Sequence, residues 1–472
     1  MNAHQSNLMK ERNGLYERTE TFLFTANWKD NIHRKCKAVR KCQKAFEYGV
    51  SGHLQARGFG RLLYGQIVQF SKSTKSILTN STPTVTISLV GCVSYVDLSD
   101  RAIVQAIGID YLPDKKVYRI SMQYFNQSSE GGQNQIDKTQ DNVLKSVGEG
   151  ESIFAAAKNA SMLTGKDLLL SENRLIIIGK ELRKYKLCDT LEFFVGNYHS
   201  HPQAYVAAAE DTAEELLDIR FKEGSTSSQR LANLIHNASV ESRNKSTYPY
   251  QVMTMLCTST ESAFLPLLRT ATLKTDVTIP KETGGGKGNG GGEEQSEDGE
   301  KTIILDGGVV FKGGKELCRV DDDGAMAIFF MNDMPSEYSF TVPLGQNAKP
   351  SVTLIEVTRS IKATEYNRKV KFDVSFSASG KVGSKGGMKE DDKKAAEKVA
   401  EPAERELKRK IESSVIPIAE KGCDVFGLEN TLRRCCNRFY RENMDRVVEI
   451  IAESEIEVNV NIDIFSQGIG GA

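Results

Sequence analysis

The run Ile103-Val104-Gln105-Ala106-Ile107-Gly108-Ile109, interrupted only by Gln105, constrains this chain more than any other stretch. A short, almost wholly apolar segment reads as a buried strand. Asp110 closes it in an acidic turn, and Val117 to Phe125 alternates like a hairpin partner. After a polar loop, Asn126 to Asp141, a helix is expected over Glu151 to Leu163 and is ended by Thr164-Gly165. A wholly apolar strand, Leu175 to Gly179, is followed by a helix near Leu187 to Val195 and a strand over Ala204 to Ala209. Asp211 and Glu214 are spaced as a capping box for a helix over Thr212 to Ile219. Strands and helices that alternate in this way predict an α/β fold with a mixed sheet.

The rest of the chain reads similarly. A helix is expected over Ser227 to Val240, with Leu231, Leu234, Ile235 and Ala238 on one face. Ile303 to Lys312 and Lys315 to Val320 form a hairpin, with Gly313-Gly314 supplying the positive φ its turn demands. Val352 to Ile361 and Val370 to Phe376 alternate as strands. A charged stretch, Lys381 to Lys398, leads into a helix striped with Leu407, Ile411, Val415 and Ile418, which Pro402 and Pro417 are expected to bound or kink. Ile456 to Ile464 closes with strict period-two alternation. At 472 residues and about 150 per domain, roughly three domains are expected. The reading is a leader over 1–91, an N-terminal α/β domain over 92–220, a middle domain over 221–345 and a C-terminal α/β domain over 346–472. Each domain is expected to be a mixed sheet with packed helices.

The net charge of zero hides an asymmetry: residues 1–80 hold 14 Lys and Arg against 5 Asp and Glu. A basic leader suits an anionic membrane face. Basic stretches with interleaved aromatics, as nucleic-acid modules need, are weak even there, so no nucleic-acid partner is expected. No run of eighteen apolar residues occurs to span a membrane as a helix.

Catalytic and metal chemistry have little to draw on. The nine cysteines are scattered without a Cys-x-x-Cys pair, which argues against a zinc site or a disulfide framework. The glycine run 284–292 lacks the Gly-Lys-Ser/Thr ending of a phosphate loop, since Gly288 follows Lys287, and reads as a flexible surface loop. His199 and His201 flank Ser200 without other ligands at metal spacing and read as turn residues before Pro202, and His236 lies beside an apolar helix stripe. The acidic groups Asp321-Asp322-Asp323 and Glu390-Asp391-Asp392 lack EF-hand spacing and read as a turn and a solvated helix start. Neither a catalytic residue, a cofactor nor a metal is expected, so the chain reads as no enzyme.

Leu89-Val90-Gly91-Cys92 has the shape of a lipobox, in which a peptidase cuts before a diacylglycerol-bearing cysteine. Cys92 is therefore the one candidate site residue, as a lipidation site. Together with Ala106-Ile107-Gly108-Ile109-Asp110, Ile176-Ile177-Ile178-Gly179-Lys180-Glu181-Leu182, Gly308-Val309-Val310-Phe311-Lys312 and Cys423-Asp424-Val425-Phe426-Gly427-Leu428, it resembles the Ger(x)C family, the lipoprotein C subunits of spore germinant receptors. The resemblance runs from about Gly91 to Gly470. The family normally opens with a short signal peptide, whereas Ile77 to Ser88 here is laced with hydroxyls, an Asn and a Pro, and Val93-Ser94 stand where the family usually has Trp-Asp. The resemblance implies a non-catalytic lipoprotein on the outer face of the spore inner membrane. It would assemble with integral-membrane A-type and B-type subunits to sense small nutrients. The alternative reading is a cytoplasmic ligand-binding protein or hydrolase with no export.

Overall fold

The structure, a computed structural model, describes residues 100–465 except 126–142, 186, 197–199, 222–225, 274–299, 346–347 and 389–390. The leader, Cys92, the polar loop after Phe125, His199 and the glycine run 284–292 lie outside the described residues. Two mixed sheets organise the described residues, one of nine strands and one of four.

Strand β1 (Arg101–Leu112) is buried continuously from Ala102 to Asp110, the signature of a strand covered on both faces. It pairs antiparallel with β2 (Val117–Phe125), and the register shifts between Val104 and Ala106. Gln105, the polar interruption of the apolar run, is thus the bulged residue. β3 (Val143–Gly150) continues the antiparallel edge, and α1 (Ile153–Thr164) folds back over it. A Cβ at Gly148 would stand 2.3 Å from the Ala156 carbonyl oxygen, so the helix lies directly on the strand. On the other side of β1 the sheet turns parallel. β4 (Asp167–Leu169) pairs with the start of β1, and β5 (Leu175–Ile178) with its second half. α2 (Leu187–Gly196) leads to β6 (Tyr205–Ala209), and α3 (Ala213–Asp218), α4 (Ser227–Val240) and α5 (Pro249–Leu256) lead to β7 (Ser262–Leu273). β8 (Glu300–Lys312) and β9 (Lys315–Val320) complete the sheet antiparallel, with φ of +60° at Gly313 and +74° at Gly314 in their turn.

Strands read as parts of separate first and middle units therefore share one sheet, joined where Ala208 and Ala209 pair with Leu267 and Leu268. β7 escapes a reading of the sequence because Pro266 interrupts it. The register shift between Pro266 and Leu268 accommodates that residue.

The acidic triplet at 321–323 opens α6 (Asp322–Asn332) instead of forming a simple turn: Asp321 is the N-cap and accepts from the Gly324 N–H at 2.9 Å. Every residue from Gly324 to Met331 is buried. A helix apolar all round belongs in an interior, and α6 lies in the hydrophobic cluster that joins Phe264 and Val310 of the first sheet to Val352, Phe372 and Phe376 of the second. That second sheet runs β10 (Glu337–Thr341), β11 (Ser351–Tyr366), β12 (Lys369–Ser384) and, parallel to β12, β13 (Glu455–Phe465).

The crossover between β12 and β13 carries α7 (Asp392–Ala419), α8 (Leu428–Cys435), α9 (Asn437–Glu442) and α10 (Val447–Ala452). Asp391 caps α7 through the Lys394 N–H at 2.9 Å. Pro402 and Pro417 lie inside α7 and do not bound it. An interior proline costs about 3 kcal/mol. Val399, Ala403, Leu407, Ile411, Val415 and Ile418 are all buried against the second sheet, and the large aliphatic ones contribute about 1.5–3 kcal/mol each. Burial of the stripe outweighs both prolines, and the helix runs through them.

Candidate functional site

Two buried carboxylates stand at the sequence signatures, and each holds a helix N-terminus. Asp110 ends the buried run of β1. Its carboxylate accepts the N–H of Ala213 at 2.8 Å and of Glu214 at 3.1 Å, the first turn of α3. Thr212 Oγ1 accepts the Glu215 N–H at 3.3 Å. Three N-terminal donors that a helix cannot satisfy internally are thereby matched. Glycines make room for this arrangement. A Cβ at Gly179 would fall 1.9 Å from Asp110 Oδ1, and one at Gly108 3.0 Å from the Ala213 Cβ. Burial pushes the Asp110 carboxyl above the usual carboxylate range, while the two N–H donors pull the other way.

This geometry corrects the expected capping box. The N-cap is Thr212, and Asp211 instead reaches Lys180 Nζ at 3.0 Å. With Thr212 as the N-cap, Glu214 stands one position short of the capping-box site, and its carboxylate pairs with Arg119 at 3.3 Å and Lys145 at 3.1 Å. Arg119 also holds Glu149 at 2.6 Å, and this hydrogen bond, with another from Lys115, pulls the Glu149 carboxyl below its usual range. These half-exposed ion pairs tie β2, β3 and α3 together at modest energy.

Asp424 organises the second signature. Its carboxylate accepts three backbone N–H groups, from Phe426 at 3.0 Å, Leu428 at 2.9 Å and Glu429 at 2.8 Å, and so caps α8. Gly427, at φ +79°, supplies the left-handed turn that lets the loop close around the carboxylate. The backbone N–H of Asp424 donates to Ser262 Oγ at 3.0 Å, at the start of β7. Glu429 extends the junction: its carboxylate accepts the Ser259 N–H and hydroxyl at 2.9 and 2.6 Å and the Tyr440 hydroxyl at 3.0 Å. Burial raises the Asp424 carboxyl despite its three donors. Next to it, Cys423 is fully buried and burial pushes its thiol up to about 11, which makes it a packing residue and a poor nucleophile. Phe426 is buried in the cluster that joins the two sheets.

The sequence picked out both motifs but not what they do. Asp110 meets its donors across 103 positions and Asp424 meets Ser262 across 162, separations that no local pattern encodes. Of the histidines, His201 Nδ1 accepts the Gln203 N–H at 3.1 Å, and exposed His236 lies 3.1 Å from the Tyr205 hydroxyl. Among the described residues no group of three or more His, Cys, Asp or Glu is arranged to hold a metal ion, and no helix is long and apolar enough to cross a membrane.

Comparison with known proteins adds two family matches in chain order. Residues 94–270 match the spore germination protein N-terminal domain, which contains Asp110 and its helix. Residues 306–468 match the spore germination B3/GerAC-like C-terminal domain, which contains Asp424 and its loop. A search of curated proteins returns no match. Among solved structures, the crystal structure of the GerBC protein is similar at 13% identity, covering 76% of this chain and 97% of its own, with a TM-score of 0.44. With both family domains matched in order across most of its length, the chain belongs to the GerAC-like family of spore germination proteins.

Proposed function

We propose that the chain is the non-catalytic lipoprotein subunit of a nutrient germinant receptor. It is anchored through a diacylglyceryl group on Cys92 to the outer face of the spore inner membrane, and it assembles there with integral A-type and B-type subunits. The observation that carries this reading is the pair of family matches, the first of which begins at Ser94, two residues beyond the lipobox-like Gly91-Cys92. The buried carboxylates support a scaffold role. Asp110 and Asp424 are each held by backbone donors at a helix N-terminus, which fixes those helices in place.

The test is detergent phase partitioning with intact mass analysis of the full chain, expressed in a spore-forming host beside Cys92→Ala. The expected outcome is a detergent-phase protein that starts at Cys92 with a diacylglyceryl mass, and an aqueous alanine variant. A wild-type protein that stays aqueous and keeps its first ninety-one residues would remove the anchor from the reading and leave the family assignment in place.

A further inference from the structure

The last turn of α1 exposes Met162 at 70% and Leu163 at 75% of their surface, while the helix buries Ile153, Ala156, Ala157 and Ala160 against the sheet. Single exposed apolar side chains are ordinary on any protein surface. What distinguishes this pair is where it stands. Gly165 ends α1 in the left-handed conformation, and two residues later Asp167 pairs with Arg101, the first residue of β1. The helix tip therefore sits beside the point at which the chain enters the sheet from Cys92. Nine peptide steps separate Cys92 from Arg101, so a lipid on Cys92 is held within about 30 Å of that point even at full extension. Exposed Lys158 lies one turn before Met162 on the same stripe, and Lys166 follows the cap.

We propose that Met162 and Leu163 at the tip of α1 form a membrane-contact surface that inserts at the headgroup level of the bilayer holding Cys92. The inference rests on the lipoprotein reading and adds to it a face and an orientation. Apolar side chains flanked by lysines suit an anionic lipid surface. A contact at the root of the tether also limits how freely the folded body swings about its lipid.

The test is methionine footprinting with peroxide, read residue by residue by mass spectrometry. The purified lipidated protein, which starts at Cys92, is reconstituted in phosphatidylethanolamine–phosphatidylglycerol vesicles and compared with the Cys92→Ala chain free in solution. Met334 and Met444, exposed at 57% and 40%, are the internal references. The expected result is oxidation of Met162 slowed about tenfold on vesicles with both references unchanged. If Met162 keeps its solution rate on a chain whose mass carries the diacylglyceryl group, the contact is overturned and the anchor stands. A uniform slowing of all three methionines also overturns the assignment. Protection in native spore membranes that is lost in pure lipid vesicles would assign the tip to a protein partner instead. A chain without the lipid mass that leaves the vesicles takes both readings down together, and the mass identifies that case.

Discussion

At the scale of single residues, the structure depends on positions where a side chain has been kept out so that a carboxylate fits. Gly179 is the clearest. Any Cβ there would collide with Asp110 Oδ1 at 1.9 Å, and the carboxylate could move only by giving up the Ala213 and Glu214 N–H groups. Gly179→Ala should therefore cost about 2–4 kcal/mol, combining overpacking with a broken helix cap, and urea unfolding with the wild type as reference measures it. The same residues show what one sequence discloses. Ile176-Ile177-Ile178-Gly179 and Ile109-Asp110 are both visible as patterns, and β1 and β5 are predictable from them. That the glycine of one exists for the carboxylate of the other follows only once β1 and β5 are paired in parallel.

At the scale of elements, periodicity carried the long amphipathic pieces and failed where packing sets the structure. β2, α4 and β9 match their sequence-based bounds, and β1, β8 and β13 stand within three residues of theirs. β3 does not declare itself. Val-Leu-Lys-Ser-Val-Gly-Glu-Gly lacks alternation because Gly148 and Gly150 serve the close approach of α1 and not a strand face. α6 reads as neither amphipathic helix nor strand because it is surrounded on all sides. In α7 the prolines mislead in the opposite direction, since tertiary burial overrides a local preference. Pro402→Ala removes that conflict without touching the buried stripe. It should raise stability by about 1–3 kcal/mol, seen as a higher melting temperature with unchanged helical circular dichroism at low temperature.

For the molecule as a whole, the loop around Asp424 joins the two sheets, because its polar contacts reach Ser262 and Ser259 while Phe426 enters the shared core. The raised Asp424 carboxyl predicts a pH response for this junction. An acid whose folded pKa lies above its unfolded value favours the folded state most when protonated. Its contribution declines as pH rises from the ordinary carboxylate range through the raised folded pKa. Wild type should thus lose stability across that window through Asp424. Asp424→Asn, although less stable throughout for want of a matched acceptor, should show a shallower decline. Denaturant midpoints taken at a series of pH values with both proteins decide it; parallel curves would reject the raised folded pKa of Asp424. The motif at 423–428 is visible in the sequence but its partner is not, since the junction's other half comes from the start of β7, far away along the chain.

The parallel pairing of β12 with β13 also sets an order of events. β12 is made long before its partner, and α7, which leans on β13, is made in between. The second sheet has no completed edge for its main helix until Phe465 has left the ribosome. Closure of the second sheet over its main helix is therefore a late event by topology, waiting on a strand far along the chain from its partner.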